Sequence, residues 1–243
     1  MDMSATSELP TKNRILTALP AGEYERLLPH LKPVALEYKQ VLYESNKPLR
    51  YVYFPDGGVI SMVSTMIDKA VVEVGLAGRE GMVCVAVFLG ANSTPHKGIV
   101  QVAGGAMRMK ASVLREEFKR GGRLQDLLLR YTQKHLIQIA QTAVCNRLHT
   151  LEERLARWLL MIHDRVDADE FILTQDIISL MLGAQRTGVT EAAGGLQKKR
   201  MIRYSRGRIT ILDRRELEES ACECYWIVKE EFDRVVGARN SSR

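Results

Sequence analysis

No part of this chain is apolar for long enough to cross a bilayer as a helix, since no run reaches the roughly 18–20 residues required. The opening "MDMSATSELPTKNRI" lacks the basic-then-apolar pattern of a secretory signal, so a cytoplasmic protein is expected. Cysteine is scarce, with four in 243 residues. Cys84 and Cys145 stand singly in apolar sequence, where a free thiol behaves as a small hydrophobe. Cys222 and Cys224 form a C-x-C with no second Cys or His pair at zinc spacing, so neither a metal nor another cofactor is expected. Acidic residues are scarce in one place. Between residues 183 and 215, nine Lys/Arg face two acids, while the whole chain carries only +6, so the remainder is close to neutral. A local basic excess is an electrostatic footprint for nucleic acid, whereas an ordinary solvated face mixes its signs.

The composition, 46% hydrophobic and 26% charged, is that of a globular protein long enough for one large domain or two ordinary ones. From about Val34 to Met109 the runs "VALEY", "VLY", "YVYF", "GVISMVSTM", "AVVEVGL", "MVCVAVFL", "GIVQV" and "AMRMK" read as short strands, separated by Gly-rich turns. About eight such strands suggest a small barrel or jelly roll. The preceding "NRILTALPAGEYERLLPHL" reads as helical packing material.

The period changes at Leu124. From there to Leu148 there is no Pro or Gly, and Leu129, Leu136, Ile139 and Ala143 recur at helical spacing, with Arg130, Gln133, Lys134 and Gln138 elsewhere on the helix. A helix of this length suits pairing with a second copy of itself. Thr150 and Glu153 form a capping box that starts a new helix and marks a hinge near His149–Thr150. Thr174 is placed to cap "QDIISLML", Gly183 to end it, and Gln185 to begin a third helix. A basic strand–turn–strand follows ("MIRYS", Arg206-Gly207, "RITIL"), completing the pattern of a winged helix-turn-helix. After Asp213, "RRELEESACECYWIVKEEFDRVV" reads as one terminal helix and "GARNSSR" as a frayed end.

This order resembles the Crp/Fnr family of bacterial transcription regulators over nearly the whole length, about Asn13 to Asp213. It does so most closely through "ERLARWLL", "LTQDIISLMLG", "QRTGVTEAAGGLQKKRMI" and "RGRITI". The resemblance implies an α+β protein. Its parts are a cyclic-nucleotide-binding-like β-roll (1–122), a dimerisation helix (123–149), a winged helix-turn-helix (150–213) and a C-terminal helix and tail (214–243). It further implies a homodimer on a palindromic double-stranded DNA operator, with RNA polymerase as a partner. In the nucleotide-binding members a Gly-Glu pair holds the ribose and an Arg-Ser/Thr-Ala segment grips the phosphate. The nearest matches here are Gly81-Met82 and Lys97-Gly98-Ile99, and the polar pair that meets the base falls at Ile139-Ala140. These positions mark a candidate effector pocket that departs from the pattern three times. Met82 cannot accept ribose hydroxyls and Lys97 lacks a guanidinium fork, so cyclic AMP is not expected and any effector is unknown. The oxygen sensors' N-terminal cysteine cluster is missing, which excludes their iron–sulfur centre. His30, His96, His135, His149 and His163 are each read as ordinary residues rather than haem ligands.

On the third helix, Arg186, Thr187, Thr190 and Glu191 fall on the face offered to a major groove, with Gln185 at its start. Val189, Ala192, Ala193 and Leu196 form the packed face. Arg186 suits guanine O6 and N7 and Glu191 the cytosine amino group. The family's Arg-Glu…Arg set is replaced by Arg186, Thr187 and Glu191, so the resemblance implies the groove and not the operator sequence. Thr174, Gln175, Lys198, Lys199, Arg206 and Arg208 suit phosphates. Two other readings stand beside this one. A cupin-like metalloenzyme would need several His, and the roll offers only His96 in a loop. An interaction or sensor protein with a degenerate helix-turn-helix would have no use for the basic wing.

Overall fold

The protein is described by a computed structural model over residues 11–237. Asn13 caps helix α1 (Arg14–Thr17) by accepting from the Ile15 and Leu16 N–H groups, and its amide donates to the carbonyls of Pro55 at 2.9 Å and Gly81 at 2.8 Å. Helix α2 (Ala21–Leu27) and a 3-10 turn (Leu28–His30) lead into the roll. Its strands are β1 (Lys32–Leu36), β2 (Val41–Tyr43), β3 (Tyr51–Pro55), β4 (Val59–Thr65), β5 (Val71–Ala77), β6 (Lys97–Val102) and β7 (Gly104–Lys110). They form two antiparallel sheets, ordered β1-β7-β3 and β2-β6-β4-β5. Leu36, Val52, Phe54, Ile60, Val100, Met107 and Met109 are buried in the core they share.

One expected strand is not one. In "MVCVAVFL" only Val83 makes a bridge, to Tyr53; Cys84 takes a left-handed φ of 75°, and Val85–Val87 coil as a 3-10 turn. The apolar run signals burial, which it achieves without pairing.

Helix α3 (Ala111–Lys119), not among the expected elements, precedes α4 (Arg123–Leu148) and α5 (Leu151–His163). The capping box at the α4–α5 joint is present. The Thr150 N–H donates to Glu153 Oε2 at 2.8 Å, and the Glu153 N–H reaches Thr150 Oγ1 at 3.4 Å. Strand β8 (Glu170–Ile172), α6 (Gln175–Leu182), α7 (Arg186–Lys198), β9 (Ile202–Ser205) and β10 (Arg208–Ile211) complete the head. The wing has three strands rather than two, because Phe171 of β8 pairs with Ile209 and gives the sheet the order β8-β10-β9. The expected single terminal helix is two, α8 (Arg214–Ser220) and α9 (Cys224–Gly237). The chain turns extended at Ala221 (φ −80°, ψ 149°), and Cys222 and Cys224 point inward at the break. Most of the tail expected to fray lies outside the described residues.

The head does not swing free of the roll. Val59, Val63 and Leu76 of the roll belong to the same buried cluster as Trp158, Ile178, Leu196 and Ile209 of the head. At the seam, Trp158 donates its indole N–H to Glu73 at 2.9 Å and Ser61 donates to the same carboxylate at 2.6 Å. Burial pushes the Glu73 carboxyl up to about 7, against these two hydrogen bonds. Arg165 pairs with Glu80 at 2.8 Å, both almost fully buried, and reaches Gln138 of α4 at 3.1 Å.

Candidate nucleic-acid interface

Helix α6 begins where Thr174 Oγ1 accepts from the Ile177 N–H, at 3.4 Å, and ends at Gly183, whose φ of 57° only glycine adopts readily. The turn then delivers α7 from an extended Gln185. Val189, Ala192, Ala193 and Leu196 are buried, while Arg186, Thr187, Thr190 and Glu191 are exposed together on the opposite side. The glycines of α7 have separable reasons. A Cβ on Gly195 would lie 2.0 Å from the Glu152 carboxylate of α5, so any larger residue there would have to push that side chain aside. Gly188 faces Leu151 at 3.0 Å, and nothing in the structure explains Gly194, which borders open space.

The Arg186 guanidinium is held against α6, with Nε 3.4 Å from Gln175 Oε1 and Nη1 3.2 Å from Asp176. Both partners are solvent-accessible, so the pair orients the guanidinium at little energetic cost. At the wing tip Arg206 (φ 51°) and Gly207 (φ 74°) make a two-residue turn of primed type, and Gly207 rests on Thr174. Thr174, Gln175, Arg186, Tyr204 and Arg206 thus line one open groove between wing and helices. The other cations divide. Lys199 is paired with Glu152 at 2.7 Å and Arg208 with Glu170 at 3.0 Å, whereas Lys198, Arg200, Arg203 and Arg206 are exposed without an ion pair among the described residues. The charge surplus read from the sequence is therefore partly spent within the head.

Residues 153–220 match the Crp-like helix-turn-helix domain family. The chain therefore carries a Crp-like helix-turn-helix domain over that stretch. Solved structures with the same fold include a protein assigned to the Crp/Fnr transcriptional regulators, from Eubacterium rectale, at 14% identity and a TM-score of 0.66, over 85% of this chain and 96% of that one. FixK2 from Bradyrhizobium japonicum matches at 16% identity and a TM-score of 0.64, over 79% and 98%. TTHB099, a transcriptional regulator of the CRP family from Thermus thermophilus, matches at 14% and 0.65, over 78% and 96%. At these identities the likeness is one of fold. A search of curated proteins finds no match. No helix among the described residues is long and apolar enough to cross a membrane.

The remaining positions singled out in the sequence are scattered through the roll and along α4. Gly81 lies beneath the Tyr131 ring, where a Cβ would come within 2.0 Å, and Tyr131 donates to the Met82 carbonyl at 3.0 Å. Gly98 lies beneath Tyr43, with a Cβ only 2.2 Å from the ring, and Lys97 pairs with Glu44 at 3.5 Å. Aromatic rings thus occupy the space over both glycines. His135 stacks on Tyr131 with centroids 5.9 Å apart, and burial pulls its imidazole down to about 4. Ile139 is half-buried and Ala140 exposed.

Along α4, Leu129, Leu136 and Ala143 are exposed and Ile139 is half-buried, in line along one face. The polar residues placed elsewhere on this helix are not all solvated: Lys134 and Gln138 are buried, with Lys134 donating to the Phe232 carbonyl of α9. Cys145, expected to stand alone, has its Sγ 3.5 Å from that of Cys222. The missed signal is a C-x-x-x-H at the end of α4, which sequence spacing does not connect to residues 77 positions away.

Proposed function

We propose that this protein acts as a homodimeric, sequence-specific DNA-binding regulator, with α7 in the major groove of each half of a palindromic operator. The observation that carries this reading is α7 itself. Its apolar stripe is sunk into the head, so Arg186, Thr187, Thr190 and Glu191 are the side chains that remain for a partner, beside a basic wing. Arg186 is assigned to guanine and Glu191 to a cytosine amino group; Gln185, Thr187 and Thr190 fit the same groove. Thr174, Gln175, Lys198, Lys199, Arg206 and Arg208 hold phosphates, Lys199 and Arg208 by giving up Glu152 and Glu170.

The line of exposed Leu129, Leu136 and Ala143 with half-buried Ile139 supports pairing of α4 with its copy, which would set the two heads about one helical turn of DNA apart. Labour is divided as sensor roll (1–122), pairing helix (123–149), head (150–213) and C-terminal cover (214–243). RNA polymerase is the partner through which a bound dimer would act. The Tyr43 and Tyr131 rings over Gly98 and Gly81 support a roll that does not take a cyclic nucleotide and responds to another effector or to none. Gel-shift titration on random and selected duplexes tests DNA binding. Saturable, competitor-resistant retardation by selected sequence is expected, and equal affinity for every duplex would refute specificity.

A further inference from the structure

Three of the four cysteines gather in a buried cluster of their own, apart from both main cores. Cys145 lies on the last turn of α4, and His149, four residues on, caps that helix with its N–H on the Cys145 carbonyl at 3.2 Å. Cys222 and Cys224 come from the break between α8 and α9. The Sγ atoms of Cys145 and Cys222 are 3.5 Å apart, Cys224 Sγ is 3.5 Å from His149 Nδ1, and the four ligand atoms all lie within 4.8 Å of one another. A tetrahedral zinc ion, with bonds of about 2.3 Å to sulfur and about 2.05 Å to nitrogen, sets S···S near 3.8 Å and S···N near 3.6 Å. The Cys145–Cys222 and Cys224–His149 edges, 3.5 Å each, are close to those values, and the other four are at most 4.8 Å.

The surroundings are those of a ligand set. His149 turns Nδ1 to the thiols while Nε2 sits 3.1 Å from the Glu223 carboxylate, the partner that fixes the tautomer and orientation of a metal-bound imidazole. Gln141 donates an amide N–H to Cys224 Sγ at 3.0 Å. Three thiolates around a dication leave one negative charge, and Arg154 and Arg157 lie within electrostatic reach to offset it. A disulfide between Cys145 and Cys222 would use two of these groups and leave no role for Cys224 or the turned imidazole. An iron–sulfur cluster spreads its thiolates more widely than a single ion does. Soft sulfur and imidazole ligands in a tetrahedral set select zinc over magnesium or calcium.

We propose that Cys145, His149, Cys222 and Cys224 bind one zinc ion that pins the end of α4 to the start of α9. Four protein ligands close the coordination sphere, which makes the site structural rather than catalytic. Binding releases the thiol protons to solvent as the three sulfurs become thiolates. The ion lies beside the His149–Thr150 joint that carries the head, so its presence stiffens the connection between pairing helix and head.

The test uses untagged full-length protein purified under reducing conditions from zinc-supplemented cells, and it does not depend on DNA binding. Elemental analysis is expected to give one zinc per chain. Replacement by cobalt(II) is expected to give thiolate-to-cobalt charge-transfer absorption with the d–d bands of a tetrahedral site. Cys224→Ser should lower the charge-transfer intensity by about a third, His149→Ala should move the d–d bands, and Cys84→Ser, in the roll core, should change neither. Chelation should lower the melting temperature by at least about 5 °C. Should a variant fail to fold, cobalt titration of the unaltered chain still decides. Metal far below one per chain without charge-transfer absorption would overturn the proposal. So would iron with acid-labile sulfide, or a Cys145–Cys222 disulfide persisting in reductant.

Discussion

Helices α4 and α7 both bury apolar side chains but differ in what they leave to water. Helix α7 sinks Val189, Ala192, Ala193 and Leu196 and shows water Arg186, Thr187, Thr190 and Glu191. Helix α4 sinks Lys134, His135 and Gln138 among its contacts and leaves Leu129, Leu136, Val144 and Leu148 exposed, Leu136 at 61% and Leu148 at 71%. Burying Lys134 and Gln138 is tolerable because they are partnered, Lys134 by the Phe232 carbonyl and Gln138 by the Leu76 carbonyl and Arg165, whereas His135 Nδ1 has no hydrogen-bond partner among the described residues. Exposing the leucines has no such internal compensation. An apolar line on a single long helix marks a surface that is complete only when covered. Helix α7 is finished as a folded element and offers polar chemistry outward, whereas α4 is unfinished in one copy of the chain.

That contrast can be broken first at α4. Replacing Leu136 and Ile139 by Glu should convert dimers to monomers in sedimentation and lower specific DNA affinity by about 100-fold or more, because the second half-site no longer binds as an intramolecular event. The same substitutions should leave the thermal transition of the monomer nearly unchanged. A mutant that stays dimeric would place the interface elsewhere.

At α7 the expected effects are smaller and chemically specific. Arg186→Ala should cost about 1–3 kcal/mol per half-site and relax preference at one base pair, as binding-site selection would show. Lys198→Ala should weaken all sequences alike and reduce the salt slope by about one unit for each phosphate left without its lysine, measured by titration at several ionic strengths.

The buried face of α4 and the seam beside it make a pH prediction. The folded Glu73 carboxyl titrates at about 7 rather than 4.5, so the folded state holds its proton more tightly and this group's stability is lost as pH rises through that window. The folded His135 titrates at about 4 rather than 6.5, so its contribution is lost as pH falls from 6.5. The two slopes oppose each other where they overlap. Glu73→Gln keeps an acceptor for Trp158 and a partner for Ser61 but removes the first slope. Denaturant melts of the variant and the parent should diverge by up to about 1.4 kcal/mol per pH unit across the Glu73 window. Parallel curves would contradict an unusually protonated Glu73.

Thr150→Ala, at the joint between the two regions, should cost about 1 kcal/mol in the same melts by removing the α5 cap.

The head was legible because its signals are local. Thr150 with Glu153, Thr174, and Gly183 each mark a helix end within a few residues, and the apolar period of α7 assigns its faces. The roll was legible as a set of short strands, except at "MVCVAVFL", where an apolar run is buried without pairing. What could not be read depends on tertiary approach. The docking of Trp158 on Glu73 joins residues 85 apart, and Cys145 meets Cys222 across 77. Periodicity places Lys134 and Gln138 on a side of α4 but does not reveal that α9 and the roll will cover that side.

In the proposed function, α7 reads DNA in two symmetric copies set by α4. Selection of binding sites from random duplex DNA with the full-length chain tests it most directly. Enrichment of an inverted repeat is expected, with half-site centres about 10–10.5 base pairs apart and at least one G·C pair in each half that loses its preference in Arg186→Ala. Enrichment of a single unrepeated motif, or of no motif, would contradict it.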